Sequence, residues 1–481
     1  MYQKSIKKNA ILNVIKSLMS IIFPLITYPY VTRILGVENL GKINYTNSIV
    51  SYFALIASLG ITTYAIREGA KIRNDREKIE EFSSEIFSIN IITTIVAYML
   101  LFIFLSISYK LKDYYLLILL QSTTILFTTL GVDWLNSIYE DYLYITIRTI
   151  IVHVVSLILL FLLVKTDSDY YIYALLTVLA NATICISNFF YCKRYVKIRC
   201  IRKANFKKHL KYMLIFFSNN IAVSIYINAD TTMLGWMVGD YSVGLYSVAV
   251  KVYSILKTLL AAIYVVSLPR LTYYVANDKM LEYKKTATEL ISSILLILLP
   301  CAAGLFCLSK EIILIISGEN YLGTIPILQI QSIAIVFAIF GGILTQCMNI
   351  SLNKEKITLK ATLIGAITNI ILNLILINKY KEVGAAITTA ISELVVFIYC
   401  ILKFKNIFEY IDKKRIIKNL VTALVESALI LIFNSLIQSF ELSKWIKILI
   451  LLLYSLISYT VVLKVSKNDI LYNMLKKDKG D

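Results

Sequence analysis

The sequence predicts an all-α integral membrane protein with about fourteen transmembrane helices, arranged as two pseudo-symmetric six-helix halves followed by two C-terminal helices. Three observations lead there. The 481 residues are 58% hydrophobic and 16% charged, where soluble proteins carry about 25% charged residues. Apolar stretches close to the roughly 20 residues that cross a bilayer recur along the whole chain. Lys and Arg collect in every second gap between those stretches, as in a polytopic protein that keeps its basic loops in the cytoplasm.

The stretches lie near 11–33, 43–65, 86–108, 114–132, 145–164, 170–192, 213–236, 245–268, 287–308, 325–348, 358–378, 384–403, 417–437 and 445–464. With only 5 Pro and 16 Gly, long irregular segments have little support. A backbone in hydrocarbon must satisfy its own hydrogen bonds, so each stretch reads as a helix. The first is expected to stay in the mature protein: it is too long for a signal peptide, carries Lys16 and Pro24, and lacks a small-residue cleavage site.

The net charge of +19 is distributed by side rather than gathered on one domain, which argues against nucleic acid as a partner. With the N-terminus inside, 36 of the 49 Lys and Arg fall in inside segments, ten fall in outside gaps, and Lys16, Lys251 and Lys257 fall inside helices. That skew predicts cytoplasmic termini at both ends. The richest basic segment runs from Lys193 to Lys211. One gap departs from the pattern: the inside loop before the fifth helix carries Asp133, Glu140 and Asp141 where Lys or Arg is expected.

The chain also repeats. Gly36, followed by Val37-Glu38-Asn39-Leu40 and Gly41, corresponds to Gly239, followed by Asp240-Tyr241-Ser242-Val243 and Gly244, at an offset of 203 residues. Both read as short outside turns in which Gly supplies a left-handed backbone. The same offset lays helices one to six near helices seven to twelve, so the organisation is a first half at 1–192, a basic cytoplasmic linker at 193–212, a second half at 213–404, and two added helices with a basic tail at 405–481. Parallel repeats of this kind build transporters.

The seven Cys show no CxxC or Cys/His spacing, so neither a metal site nor a disulfide framework is expected, and they read as small packing residues. His209 falls in the basic linker. His153, inside the fifth helix, reads first as a hydrogen-bonding partner for a neighbouring helix and second as a proton relay. With no Walker motif and no convincing catalytic constellation, the chain is expected not to be an enzyme and to need no cofactor; energy would come from H⁺ or Na⁺, the membrane potential or substrate flux.

Polar faces mark where substrate could sit. Asn9, Asn13, Lys16, Ser20 and Thr27 share one side of the first helix at 100° per residue. The seventh helix aligns Asn219, Tyr226 and Asp230, and the eighth aligns Ser247, Lys251, Ser254 and Thr258. Lys257 lies about 120° around the eighth helix, on the side of Tyr246, Tyr253 and Tyr264. Such stripes either glue helices together or line a cavity. A cation at mid-bilayer costs about 2.5–3.5 kcal/mol on insertion scales, so Lys257 is expected to face a cavity, with Asp230 the first candidate partner for either lysine of the eighth helix. Lys251 and Lys16 stand nearer the membrane faces and either share that cavity or snorkel. Glu393 and Glu426 also fall inside helices. Glu393, flanked by Thr389 and Ser392, and Asp230 are the candidate positions for a coupling ion. Converging lysines suit an anionic substrate.

Two segments carry a family resemblance. The opening, from Asn9 through Pro24, Pro29-Tyr30-Val31-Thr32-Arg33-Ile34-Leu35-Gly36 and Gly41 to Ser58-Leu59-Gly60-Ile61, resembles the start of Wzx-type oligosaccharide flippases. So does Asp230-Thr231-Thr232-Met233-Leu234-Gly235 through Gly244-Leu245-Tyr246-Ser247-Val248-Ala249 to Lys251-Val252. The resemblance implies a MATE-like fold of the MOP superfamily, which also holds multidrug exporters and the lipid II flippase MurJ. It implies movement of a polyprenyl-pyrophosphate oligosaccharide from the inner to the outer leaflet of a bacterial cytoplasmic membrane. Polysaccharide polymerase and chain-length machinery would be partners alongside membrane lipid. Lys16, Lys251 and Lys257 would form a cationic site with Asn13 and Asp230, Arg33 would complete an outside gate, and the last two helices would form a groove for the lipid tail. The opening helices lack a mid-helix Arg of the MurJ kind, which counts against lipid II as cargo. Cationic drugs, the cargo of a MATE-type exporter, would be opposed by the lysines.

Overall fold

A computed structural model describes residues 6–201, 205–404, 407–440 and 443–466; within them, the side chains of 6–14, 16, 17, 20, 206, 219 and 408 are not described. The described residues are almost wholly helical, with no strand among them. In chain order the helices are α1 (Ile6–Ser58), α2 (Ile61–Ile72), α3 (Arg76–Ile107), α4 (Tyr115–Gly131), α5 (Asp133–Ile138), α6 (Tyr142–Leu163), α7 (Tyr170–Cys192), α8 (Phe206–Met237), α9 (Asp240–Ala276), α10 (Met280–Cys307), α11 (Ser309–Ile316), α12 (Ile325–Gly342), α13 (Asn349–Ser351), α14 (Glu355–Lys403), α15 (Lys413–Ile437) and α16 (Lys444–Val465). Among the described residues, twelve continuous segments are long and apolar enough to cross a membrane. The first is broken at Gly36 and the one formed by α14 at Lys381, so the chain makes the fourteen passes its sequence predicts.

The breaks follow from local chemistry. Gly36 and Gly60 hold φ of 72° and 70°, a region open to Gly because it has no β-carbon. Pro24 and Pro29 sit inside α1, where each removes a backbone donor. Close by, Thr27 and Thr32 hydroxyls donate to the carbonyls of Phe23 and Tyr28 at 3.1 and 2.9 Å. After α12 the chain makes a π-turn over Ile343–Met348. A π-turn disturbs the regular carbonyl ladder, and Thr358 donates to the Thr345 carbonyl there at 2.8 Å.

The chain forms two compact units, Met1–Gly244 and Leu245–Asp481. In the first, α1 packs on α3, α4, α6 and α8, and α4 on α7. In the second, α10 packs on α15 and α12 on α14. Large apolar side chains on the outer helix surfaces, such as Phe102, Ile103 and Leu453, are exposed, as lipid-facing residues should be.

Several charged residues behave differently from the sequence reading. The acidic stretch between α4 and α6 folds into the short helix α5, and each of its acids meets a base from a neighbouring segment of the first unit. Asp133 pairs with the buried Arg148 at 3.3 Å, Glu140 with Arg73 at 2.7 Å, and Asp141 with Arg194. Asp141 also accepts from the Tyr191 hydroxyl at 2.6 Å and from Tyr195. His209 lies not in a loop but in the opening turns of α8, fully buried, with its ring between the Tyr64 hydroxyl at 2.7 Å and Glu85 at 2.9 Å. The segment before it runs along α3, where Arg199 and Ile201 backbone N–H groups donate to Ser84 and Ser88 at 3.1 and 2.8 Å. His153 stacks on Phe23 with ring centroids 4.4 Å apart rather than hydrogen-bonding a neighbour through Nδ1. Of the seven cysteines, all free, five are buried.

Asp141 is 6% exposed at its side chain and gathers three donors, whereas Glu140 and Arg73 are each 41% exposed. Asp141→Ala should therefore lower stability by about 1–3 kcal/mol, and Glu140→Ala by less than about 1 kcal/mol. Thermal unfolding of the purified variants measures both, and equal effects would contradict the burial argument.

Candidate functional site

The repeat found in the sequence is a contact in the fold. Both repeat elements lie within the first unit. Gly36 and Gly239 take φ of 72° and 122°, and helix resumes at once after each. Only these leading glycines serve a turn. The second glycine of each pair is already helical, which corrects the expectation of a four-residue loop. Gly41 and Gly244 instead allow close packing: a β-carbon on Gly41 would overlap the carbonyl of Asp240, and one on Gly244 would overlap the carbonyl of Val37. The offset of 203 maps Val37 onto Asp240 and Gly41 onto Gly244, so the two elements pack reciprocally, backbone on backbone. Tyr114 donates to the Asp240 carboxylate at 2.7 Å and holds the second element in place.

Along the same unit α1 and α8 share a polar seam, where Thr232 donates to the Ser48 hydroxyl at 2.8 Å. Asp230, two residues earlier on α8, is 4% exposed. Arg33 is exposed, three residues before the break at Gly36. The side chains of Asn13 and Lys16 lie outside the described residues.

In the second unit the deep cation finds its counter-ion. Lys257, on α9, places Nζ 2.7 Å from Oε1 of Glu393, on the half of α14 that follows the break at Lys381. The sequence reading favoured Asp230 as its partner; the partner is Glu393. Tyr253, one turn before Lys257, donates its hydroxyl to the same Oε1 at 3.1 Å and lies 3.3 Å from Nζ, closing a triangle. The tyrosine side of α9 faces α14 here, and the Tyr246 hydroxyl lies 3.1 Å from Thr389. The Lys257 side chain is 33% exposed and that of Glu393 7%. Glu393 is buried and Lys257 only partly so, so the ammonium compensates a carboxylate that burial would otherwise disfavour. Lys251 is half-buried, six residues earlier on α9. Sequence reasoning placed Tyr253 on the side of Lys257 without assigning it to the site; the i, i+4 spacing to Lys257 was the signal that joins them.

The added helices carry their own polar contacts. Glu426 on α15, 1% exposed, accepts from Ser458 on α16 at 2.6 Å, and Lys447 pairs with Glu311 at 2.6 Å. Beside them α9, α10, α15 and α16 line an open apolar cavity of about 480 Å³, with Leu256, Pro300, Gly304, Ile430, Leu452 and Leu456 among its walls. Among the described residues no cluster of three or more His, Cys, Asp or Glu could hold a metal.

This architecture defines a class. The fold is that of MOP-superfamily membrane transporters. It aligns with the lipid II flippase MurJ in its inward closed conformation at a TM-score of 0.73 and 15% identity, covering 96% of this chain and 99% of that one. An outward-facing MATE multidrug resistance transporter aligns at a TM-score of 0.51 and 16% identity, over 81% and 92% of the two chains. Within that class the chain belongs to the polysaccharide biosynthesis protein family, whose sequence profile matches residues 6–275. A Shigella dysenteriae protein named for O-antigen transport is 26% identical over 402 residues, covering 82% of this chain and 98% of its own. The capsular polysaccharide biosynthesis protein CapF of Staphylococcus aureus is 25% identical over 386 residues, 77% and 92% of the two chains.

The crossed glycines give a sharp test. Gly41→Val and Gly244→Val should each destabilise the protein by about 1–3 kcal/mol through overpacking. Gly341→Ala should be near neutral, because its β-carbon would meet Val396 at an ordinary 3.7 Å. A thermal unfolding midpoint unchanged in both valine variants would remove the close packing.

Proposed function

We propose that this protein is a flippase that carries polyprenyl-pyrophosphate-linked oligosaccharide repeat units across the bacterial cytoplasmic membrane for surface polysaccharide synthesis. Family membership over residues 6–275 carries the reading, together with a chain that crosses the membrane about fourteen times and holds a Lys deep in its helices. On this reading the protein moves its cargo without making or breaking a covalent bond, and is not an enzyme. The skew of Lys and Arg supports cytoplasmic termini at both ends.

The pyrophosphate is anionic, and Lys binds phosphate as a point charge without needing a fixed fork geometry. Lys257 is the primary contact, with Lys251 a further contact on the same helix; Lys16, Asn13 and Asp230, in the first unit, are the remaining proposed substrate-binding residues. Arg33, beside the break at Gly36, serves the outer gate. The polyprenyl tail stays with lipid, and the apolar cavity among α9, α10, α15 and α16 suits one of its segments by size and lining. Two repeated halves, 1–192 and 213–404, with a linker at 193–212 and the added helices from 405, support alternating access: the charged head group binds one state and leaves from the other. Coupling uses H⁺ or Na⁺ at Asp230 or Glu393. At Glu393 the bound ammonium of Lys257 occupies the place a metal cation would take, which favours H⁺ there. Polysaccharide polymerase and chain-length machinery receive the product.

Removing the gene should cause the lipid-linked repeat unit to build up in the cytoplasmic leaflet while surface polymer is lost. Build-up of lipid II with lysis would move the cargo to peptidoglycan, and an unchanged pool with new drug sensitivity would overturn the flippase reading. Lys257→Ala should abolish surface polymer at normal protein level, and Lys257→Arg should retain part of it. Polymer unchanged in Lys257→Ala would remove Lys257 from the site.

A further inference from the structure

We propose that Lys257 and Glu393 form a proton-linked latch: the anionic head group takes Lys257 away from Glu393, and Glu393 accepts one proton as it does so. The inference rests on the flippase reading and adds to it a rule for how binding and protonation are tied.

Three features of the pair lead there. First, the two partners differ in access. The Lys257 side chain is 33% exposed and Glu393 only 7%, so an arriving anion meets the ammonium and not the carboxylate. Second, the ammonium rides on a flexible stem and is a point charge, free to swing from one anion to another. Third, among the described residues Glu393 has no second cationic side chain recorded in contact with it. Lys257, Tyr253 and Tyr264 are the titratable groups that α9 turns toward it. The segment Ile325–Gly342 of α12, packed against α14, contains no titratable residue, and the following π-turn contributes only Cys347. On its own helix the nearest titratable groups are Glu382, three turns before, and Tyr399 and Cys400, about two turns after.

A buried carboxylate that loses its only cation is held in a medium that disfavours charge, and protonation relieves it. The step balances. Before binding, Lys257⁺ faces Glu393⁻. After binding, Lys257⁺ faces a pyrophosphate oxygen and Glu393 is neutral, its new O–H donating to Tyr253 Oη. The proton enters from the aqueous side that delivers the head group, and it returns to water when Lys257 swings back. Binding therefore takes up a proton, and affinity rises as pH falls. One cation cannot serve two anions, so the carboxylate sets how tightly the empty protein holds Lys257 closed.

The test is calorimetric binding of farnesyl-pyrophosphoryl-N-acetylglucosamine to the purified full-length protein between about pH 6 and pH 9, in buffers of different ionisation enthalpy. This probe is a pyrophosphate diester, so its own charge is constant over that range. The latch predicts uptake of about one proton per probe bound and affinity that weakens as pH rises. Glu393→Gln should bind independently of pH and about tenfold tighter than the wild type at about pH 8. Lys257→Ala should not bind. The double variant Lys257→Ala/Glu393→Gln, which leaves no orphaned charge, should keep the wild-type unfolding midpoint and still fail to bind, separating loss of the site from loss of the fold. Wild-type binding that needs Lys257 but takes up no proton would overturn the latch and leave the flippase reading standing. Unimpaired binding by Lys257→Ala would overturn the latch together with the assignment of Lys257 to the head group.

Discussion

Everything in this structure depends on the absence of water in the bilayer core. A backbone N–H or carbonyl left unpaired there costs several kcal/mol, so each crossing is a helix and every interruption needs a local remedy. The interruptions are few. Gly36, Gly60 and Gly239 turn the chain through backbone conformations that a β-carbon disfavours. The π-turn at Ile343–Met348 has the Thr358 hydroxyl on one of its carbonyls. Hydroxyls bonded back to carbonyls one turn earlier, such as Thr27 and Thr32, stand around the prolines of α1.

The same lack of water governs charge. Several ionic groups that leave the surface pair at close range: Lys257 with Glu393, Lys447 with Glu311, Arg148 with Asp133. The α5 region shows how local pairing accounts for an apparent exception to the charge bias. Its acids look out of place as a stretch of sequence, yet they meet Arg148, Arg73 and Arg194 from α6, the end of α2 and the chain after α7. Three acids thus hold three bases, and the region bridges neighbouring helix ends. At α9 the pairing serves differently, because one member is buried and the other a third exposed. Such a pair is stable as long as nothing better reaches the exposed partner, which suits a site that must release what it binds.

Small residues set the other constraint. At Gly41 and Gly244 the backbones approach too closely for any side chain. The glycines were visible in the sequence as a repeat, but Gly41 and Gly244 were read as supplying the left-handed backbone of a turn. Periodicity locates a glycine; whether it serves φ or proximity depends on what stands opposite.

Much of the architecture was legible in the sequence: fourteen crossings, their approximate ends, and the repeat at Gly36 and Gly239. These are one-dimensional properties, since helix length, hydropathy and charge bias act within about 20 residues. The tyrosine side of α9 was legible too, because 100° per residue fixes which residues share a face. Tertiary structure alone decided what that face meets. Glu393 is 136 positions from Lys257, and no local pattern distinguishes it from Asp230 as a partner. His209, placed by its basic neighbours in a loop, is buried between Tyr64 and Glu85 for the same reason. Long-range pairing is selected by the packing of whole helices, and that packing is not written in any single segment.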